Sequence, residues 1–171
     1  VICNPNIPSE EVFTTPHYLR VEGHVSSTKP LSHQGSLIDE IRVEFKEGAI
    51  VDAKASKGEK IFKKVLESDD GARRLGEVAL VPDSSPISQS GLLFYNTLFD
   101  ENAACHIALG QCYSKCFKSK QNLSQEEIKS RGGNSSMIHI DWMIGSKEID
   151  IDGLSENGEI TPVFRKGEWC V

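Results

Sequence analysis

Two side chains of metal-binding types lie two residues apart in the apolar run MIHIDWMI at residues 137–144: His139 and Asp141. Alternate residues of a β-strand face the same side, so a strand here would present the imidazole and the carboxylate together. Burial of both groups costs free energy unless each has a partner, and a metal ion would serve both. Taken alone, a plain His–Asp hydrogen bond or a strand face open to water is favoured over a metal site, because so short a pattern is common.

A carboxylate and an imidazole also occur around a predicted helix start, at Glu101 and His106. Asp100 is typical of an N-cap and Gly110 of a helix end, so the sequence predicts a helix over residues 101–109. Five residues make about one and a half turns, so Glu101 and His106 would flank one cavity rather than share a helix face. On spacing alone, a first-turn glutamate that complements the helix dipole, with a histidine packed in the core, is favoured.

Three further acidic residues adjoin apolar or turn segments. Glu77 leads into the apolar run at residues 78–81, either as an exposed strand end or as a carboxylate aimed at a cleft. Glu10 and Glu11 follow a turn predicted over residues 4–8, where a helix start or a solvated loop is the alternative. Together these carboxylates and imidazoles are ligands that suit zinc, cobalt or manganese. Two adjacent ions would also need a carboxylate that bridges them.

Cysteine chemistry is the weaker hypothesis. The five cysteines are odd in number and irregularly spaced, which argues against a disulfide framework and for a reducing compartment. Cys105 adjoins His106, but neighbouring residues on a helix point about 100° apart and do not face each other. Cys112 and Cys116 lack a second pair of ligands, so two free thiols are favoured over a zinc site.

Composition limits the partners. The net charge is -6 and the pI is about 5.4, so nucleic acid and anionic membrane surfaces are poor partners. The chain lacks an apolar run long enough for a bilayer, which takes about 20 residues. The first residues have neither a basic segment nor an apolar one and lack Met, so we expect a part of a longer chain rather than a signal peptide. Residues 1–171 then form one globular domain.

The elements that must position these residues are mostly strands. Hairpins are predicted around turns at residues 47–48 and 156–158, with further strands over 18–25, 77–81 and 137–144. Helices are predicted over 57–67, 101–109 and 122–131. In the last of these, Ser124 is the N-cap and Glu127 completes a capping box. The pattern predicts an α+β fold with a mixed, largely antiparallel curved sheet and two to three helices.

Several longer runs occur together and in one order. They lie at residues 8–16, 27–31, 71–81, 93–102, 105–110, 138–146 and 150–153. As a set they resemble the family of bacterial metalloaminopeptidases typified by aminopeptidase T, AmpS and PepS, over nearly the whole chain. A run such as FYNTLFDEN at residues 94–102 is far more specific than a single histidine–aspartate pair.

The resemblance implies a cytoplasmic aminopeptidase of broad specificity that acts on peptides as a homodimer and holds two divalent ions, zinc, cobalt or manganese. By motif, the family's metal ligands fall on Glu11, Glu77, Glu101, His106, His139 and Asp141. The alignment of the motif favours Glu11 over Glu10, and Glu77 is the expected bridging ligand. Tyr113 matches an active-site tyrosine, so Glu101 and Tyr113 are the expected catalytic residues.

The sequence also departs from the family pattern. Family members are longer and have an α/β N-terminal domain, so the resemblance implies the C-terminal catalytic part of a two-domain metallopeptidase. Residues 114–131 form a slightly longer segment than usual, which would change surface detail rather than chemistry. Two other functions stay open: a catalytically inactive domain that serves dimerisation or interaction, and a metal-dependent hydrolase of another amide or ester.

Overall fold

The computed structural model describes residues 7, 9–119 and 122–170. Apart from Ile7, the turn predicted over residues 4–8 lies outside the described residues. The strands are β1 (Val12–Thr14), β2 (Gly23–Ser26), β3 (Leu31–His33), β4 (Ser36–Ile38), β5 (Arg42–Lys46), β6 (Ala49–Lys54), β7 (Leu75–Leu80), β8 (His106–Gly110), β9 (His139–Met143), β10 (Ile151–Leu154), β11 (Ile160–Arg165) and β12 (Glu168–Trp169). The helices are α1 (Glu59–Leu66), α2 (Pro86–Ser90), α3 (Thr97–Asp100) and α4 (Gln125–Ser130), with 3₁₀ turns at Glu101–Ala103 and Ser114–Cys116. Each helix among the described residues is too short or too polar to cross a membrane.

A four-stranded sheet of order β1-β7-β8-β9 lies at the centre of the topology. Two three-stranded sheets, β2-β5-β6 and β10-β11-β12, and the hairpin β3-β4 complete the strands of the described residues. The strand pairs that build them are antiparallel. The predicted α+β class with a largely antiparallel sheet is therefore confirmed.

The hairpin between β5 and β6 forms where the sequence predicts it. Its turn residues Glu47 and Gly48 have φ values of 50° and 78°, as a type I′ turn requires at both central positions. A Cβ on Gly48 would lie 1.9 Å from the carbonyl oxygen of Tyr18. Glycine at position 48 therefore allows both the positive φ of the turn and the close approach of the Tyr18 backbone.

The hydrophobic core joins helix α1 to the central sheet and to the β2-β5-β6 sheet. Helix α1 buries Phe62, Val65 and Leu66 on one face, as its predicted apolar stripe requires. Phe62 meets Trp142 of β9 edge to face, with ring centroids 6.5 Å apart and both side chains fully buried. This contact anchors the strand that carries His139 and Asp141.

The helix predicted over residues 101–109 is wrong. The chain makes a 3₁₀ turn at Glu101–Ala103 and then enters strand β8, which pairs with β7 on one side and β9 on the other. Every residue of β8 is buried. A central strand buried on both faces has the same continuous apolar character as a buried helix, so periodicity could not separate the two.

The other predicted elements differ mainly at their ends. The strand predicted over residues 18–25 begins only at Gly23, because Tyr18 and Leu19 form a turn held by the bond from the Tyr18 N–H to the Gly132 carbonyl. Helix α4 has the predicted capping box, in which Ser124 and Glu127 each accept from the other's backbone N–H. The C-terminal hairpin pairs β10 with β11 as predicted.

Asp69 ties the turn before β7 to the segment that leads into β9. Its carboxylate accepts hydrogen bonds from the N–H groups of Gly71 and Ala72 at 2.8 and 2.9 Å. It also accepts from the Ser136 hydroxyl at 2.9 Å and from the Met137 N–H at 2.6 Å. Burial raises the pKa of Asp69, but the bonds from Met137 and Ser136 outweigh burial and hold the pKa below its usual value.

Replacement of Asp69 by asparagine should therefore destabilise the fold in a pH-dependent way. A carboxyl with a lowered folded-state pKa stabilises above its unfolded pKa, near 3.8, and this contribution is lost as pH falls through the folded pKa. We expect Asp69→Asn to cost about 1 kcal/mol at pH 7, at the low end because the group is partly exposed. Urea unfolding at pH 7 and below pH 3 measures the change, with Asp70→Asn at the exposed neighbouring carboxyl as the control. An equal loss at both pH values would contradict the prediction.

Candidate metal centre

The strand register brings four of the predicted ligands to one face of the central sheet. Glu77 of β7 pairs with Ala108 of β8, and Ala108 pairs with Asp141 of β9. Paired residues share a face of a sheet, and so do residues two apart along one strand. His106 and His139, two residues before Ala108 and Asp141, therefore lie on the same face as Glu77.

Glu11 reaches the same face from the edge of the sheet. Phe13 of β1 pairs with Ala79, and Ala79 pairs with His106. Glu11 precedes Phe13 by two residues and so points the same way. Ala79 and Ala108 are both fully buried between the ligand positions. Small side chains there leave room for the longer groups above them.

The ligand-type atoms form two groups of three that share one residue. Oxygen and nitrogen atoms of Glu11, Glu77 and His106 lie within 4.8 Å of one another, as do those of Glu77, His139 and Asp141. In the first group, His106 Nε2 is 3.0 Å from Glu11 Oε2 and 4.0 Å from Glu77 Oε1. In the second, His139 Nε2 is 3.4 Å from both Glu77 Oε2 and Asp141 Oδ1. Glu77 thus directs one carboxylate oxygen to each group.

Backbone carbonyls orient both imidazoles. His106 Nδ1 lies 3.1 Å from the carbonyl oxygen of Ala104, and His139 Nδ1 lies 2.7 Å from that of Gln111. A carbonyl oxygen only accepts, so each Nδ1 carries the proton and donates. Each Nε2 faces the carboxylates and would lose its proton on binding a metal ion, in the arrangement usual for metal-binding histidines.

The cluster has buried polar atoms that the protein itself leaves without hydrogen bonds. Among the described residues, these include Glu11 Oε2, Glu77 Oε2 and His106 Nε2. Buried polar atoms are normally paired, and unpaired ones carry a free-energy cost. A divalent cation would satisfy all three, so the residues present fit the metal that the sequence predicts.

The pKa shifts of the clustered residues also favour the binding of a cation. Burial raises the pKa of Glu77, and the nearby Asp141 carboxylate raises it further. Burial lowers the pKa of His139, but Asp141 and Glu77 outweigh burial and raise the pKa to about 10. Burial likewise lowers the pKa of His106, but Glu11 and Asp141 raise it to about 8. The site therefore carries a local excess of negative charge that favours cations.

Tyr113 and Glu101 line a cavity of about 150 Å³ above the cluster, together with Glu11, Glu77 and Asp141. The Tyr113 ring meets the His139 ring edge to face at 4.9 Å between centroids. Burial raises the pKa of Tyr113 to about 12, and the surrounding carboxylates add to the shift, so its hydroxyl keeps its proton and can donate. Glu101 is 7% exposed but belongs to neither group of three.

The structure also separates the residues that the sequence left open. The side chain of Glu11 is 5% exposed and lies in the cluster, whereas Glu10 contacts Asn102 through its backbone N–H. Cys105 directs its thiol to the backbone of Val81. The described cysteines, Cys105, Cys112, Cys116 and Cys170, are free thiols.

Sequence reasoning missed the groups that orient the ligands. The carbonyls of Ala104 and Gln111 act through the backbone, so no residue type marks them. Ala79 and Ala108 show only as small residues within apolar runs, and Phe13 shows as an ordinary apolar residue. Only a correct prediction of the pairing between β7, β8 and β9 could have identified these groups from the sequence.

Comparisons with known proteins agree with the resemblance described above. The sequence profile of the thermophilic metalloprotease family, peptidase family M29, matches residues 1–169. Aminopeptidase T of Thermus aquaticus is 53% identical over 170 residues, which is 99% of this chain and 41% of that protein. Aminopeptidase 2 of Geobacillus stearothermophilus is 54% identical over 167 residues, 98% of this chain and 40% of that protein.

A solved structure is similar as well. Wild-type AmpT from Thermus thermophilus superposes with a TM-score of 0.91 at 52% identity, over 99% of this chain and 41% of that chain. The chain thus spans about 41% of the length of the relatives that it matches.

Proposed function

The chain belongs to the thermophilic metalloprotease family, and from this membership we propose that it carries the metal centre of an aminopeptidase that releases N-terminal residues from peptides. The family implies a divalent metal, and the named relatives are aminopeptidases. We propose that residues 1–171 form one catalytic domain of a longer, two-domain cytoplasmic enzyme that works as a homodimer.

One observation carries the proposal of two ions: two groups of three ligand-type residues share Glu77. Glu11 and His106 would hold one ion, His139 and Asp141 the other, and Glu77 would bridge the pair. A shared carboxylate is what two ions about 3.5–4 Å apart require. Glu101 is proposed as the sixth ligand because it is buried at the same cavity. Zinc, cobalt and manganese suit such nitrogen and oxygen ligands.

Two divalent ions, when bound, supply a water of lowered pKa and polarise the peptide carbonyl. Residues of the chain would transfer the proton and stabilise the intermediate. A carboxylate oxygen of Glu101, with that of Glu77 as the alternative, would accept the proton of this water and pass it to the leaving amine. Tyr113 stays protonated in the cavity, so its hydroxyl would donate a hydrogen bond to the oxygen of the tetrahedral intermediate.

A non-catalytic role in dimerisation or interaction is the second candidate. Leu92, Phe94, Tyr95, Leu98 and Phe99 are large apolar residues that are 39% to 66% exposed within one short segment. Exposed apolar clusters of this kind mark interaction sites in many proteins. An interaction role does not require catalytic turnover, so a measurement of peptide hydrolysis separates the two candidate functions.

The test is elemental metal analysis of the purified chain together with hydrolysis of leucine p-nitroanilide in added cobalt or zinc. We expect about two ions for each chain, with turnover, if the proposed site is complete. Metal without turnover would mean that residues outside this chain are needed for substrate binding or closure. A folded chain with neither metal nor turnover would leave the interaction role ahead.

A further inference from the structure

A second cavity, of about 280 Å³, opens beside the metal cluster. It shares Leu98, Glu101, Tyr113 and Asp141 with the smaller cavity, so the two spaces meet at the cluster. Its other walls extend away from the cluster to the β3-β4 hairpin and the start of α3. None of the proposed metal ligands forms this outer part of the cavity.

The outer walls of this cavity are uncharged. They consist of Leu31, Ser32, His33, Thr97, Leu98 and Ile140. Burial lowers the pKa of His33, so its imidazole is neutral at pH 7. Among the described lining residues there is no lysine or arginine, and the three titratable residues of the metal site, Glu101, His139 and Asp141, lie at the cluster end. The far end therefore suits a side chain without charge.

Leu98 is held at the rim by its backbone rather than by its side chain. Its N–H donates to Asn96 Oδ1 at 3.1 Å, and its carbonyl accepts from Asn102 Nδ2 at 2.9 Å. Asn102 is fully buried and also accepts from the Glu10 N–H next to the ligand Glu11. These two backbone bonds hold Leu98, which is 59% exposed, at the rim of the cavity.

We infer that this cavity binds the side chain of the substrate's N-terminal residue and selects uncharged side chains of leucine size or larger. The inference rests on the proposed function, because only an aminopeptidase places the side chain of the N-terminal residue beside the reacting carbonyl. Leu31, Leu98 and Ile140 would contact the aliphatic part. Ser32 and His33 would bond a polar tip.

Hydroxamic acids of single amino acids test the cavity without any turnover, because the hydroxamate binds metal and the side chain is free to vary. The zinc-loaded chain should bind L-leucine hydroxamic acid about tenfold or more tightly than the glycine compound in calorimetric titrations. Leu98→Ala should reduce this preference to about threefold or less and leave glycine binding within about twofold. L-lysine hydroxamic acid should bind more weakly than the leucine compound, since its ammonium would lose water against an uncharged wall.

Leu92→Ala is the matched control, because Leu92 is 61% exposed on the same segment and lines neither cavity. It should keep the full preference for leucine. Equal affinities in the unaltered chain, no binding of either compound, or an equal loss for both compounds in Leu98→Ala would overturn the inference. Leucine preference without hydrolysis of leucine p-nitroanilide would support the side-chain cavity and mean that turnover needs residues outside this chain. Hydrolysis without leucine preference would support the aminopeptidase and overturn the side-chain cavity.

Discussion

Replacement of Glu77 by glutamine should remove both metal ions and all metal-dependent hydrolysis, because Glu77 is shared by the two ligand groups. Glutamine keeps the volume of the side chain but loses the charge and the second anionic oxygen. We expect activity to fall by well over 100-fold, since even a group that only orients a ligand costs about 10–100-fold. His139→Ala removes a proposed ligand from one group only, and it too should abolish hydrolysis because the proposed reaction uses both ions.

The same replacement should not destabilise the metal-free fold. Glu77 is 3% exposed, and its Oε2 has no hydrogen bond within the described residues. Without a cation, burial and the carboxylates of Asp141 and Glu11 raise the pKa of Glu77 even though the attraction of His139, 3.4 Å away, opposes the shift. The surroundings therefore disfavour the charge of Glu77 on balance, and its removal relieves that cost. Thermal unfolding in EDTA should therefore give a Tm equal to or above that of the unaltered chain.

Elemental analysis, leucine p-nitroanilide hydrolysis and thermal unfolding together decide this prediction. Glu44→Gln is the control, because Glu44 is an exposed carboxylate on β5, outside the cluster. Two ions retained in Glu77→Gln would show that Glu77 does not bridge them. A much lower Tm in EDTA would show that the loss comes from misfolding rather than from the missing ligand.

Replacement of Gly110 by alanine should cause a large loss of stability. Gly110 ends β8 with φ of 101°, a backbone conformation that residues with a Cβ rarely adopt. The added Cβ would lie 2.1 Å from the carbonyl oxygen of Ile138, so either the strand pair separates or the backbone shifts. We expect a cost of about 3 kcal/mol in the free energy of unfolding, from overpacking and the strained φ together. Gly110 also pairs with His139, so metal affinity should fall as well.

Gly91→Ala provides the comparison for this second prediction. Gly91 also has a positive φ, 64°, but an added Cβ there meets nothing within 4 Å. Its cost should be only the conformational one, about 1 kcal/mol. Urea unfolding of both variants measures the difference. Equal losses would mean that the contact with Ile138 relaxes without cost.

Local patterns were enough to place several elements. The hairpin turn at Glu47 and Gly48, helix α1 and the capping box of Ser124 and Glu127 depend on residues close in sequence, so their residue types predict them. The common face of His139 and Asp141 follows from the two-residue period of a strand. The runs over residues 71–81 and 93–102 led to the family, which the profile over residues 1–169 confirms.

Only the tertiary structure decided how β8 folds and what its pairing brings together. The free energy that makes residues 106–110 a strand comes from pairing with β7 and β9, which lie far away along the chain. That register sets Glu77, His106 and Asp141 on one face and selects Glu11 rather than Glu10 at its edge. No local pattern contains such long-range pairing, so the sequence named the candidate ligands while packing determined their geometry.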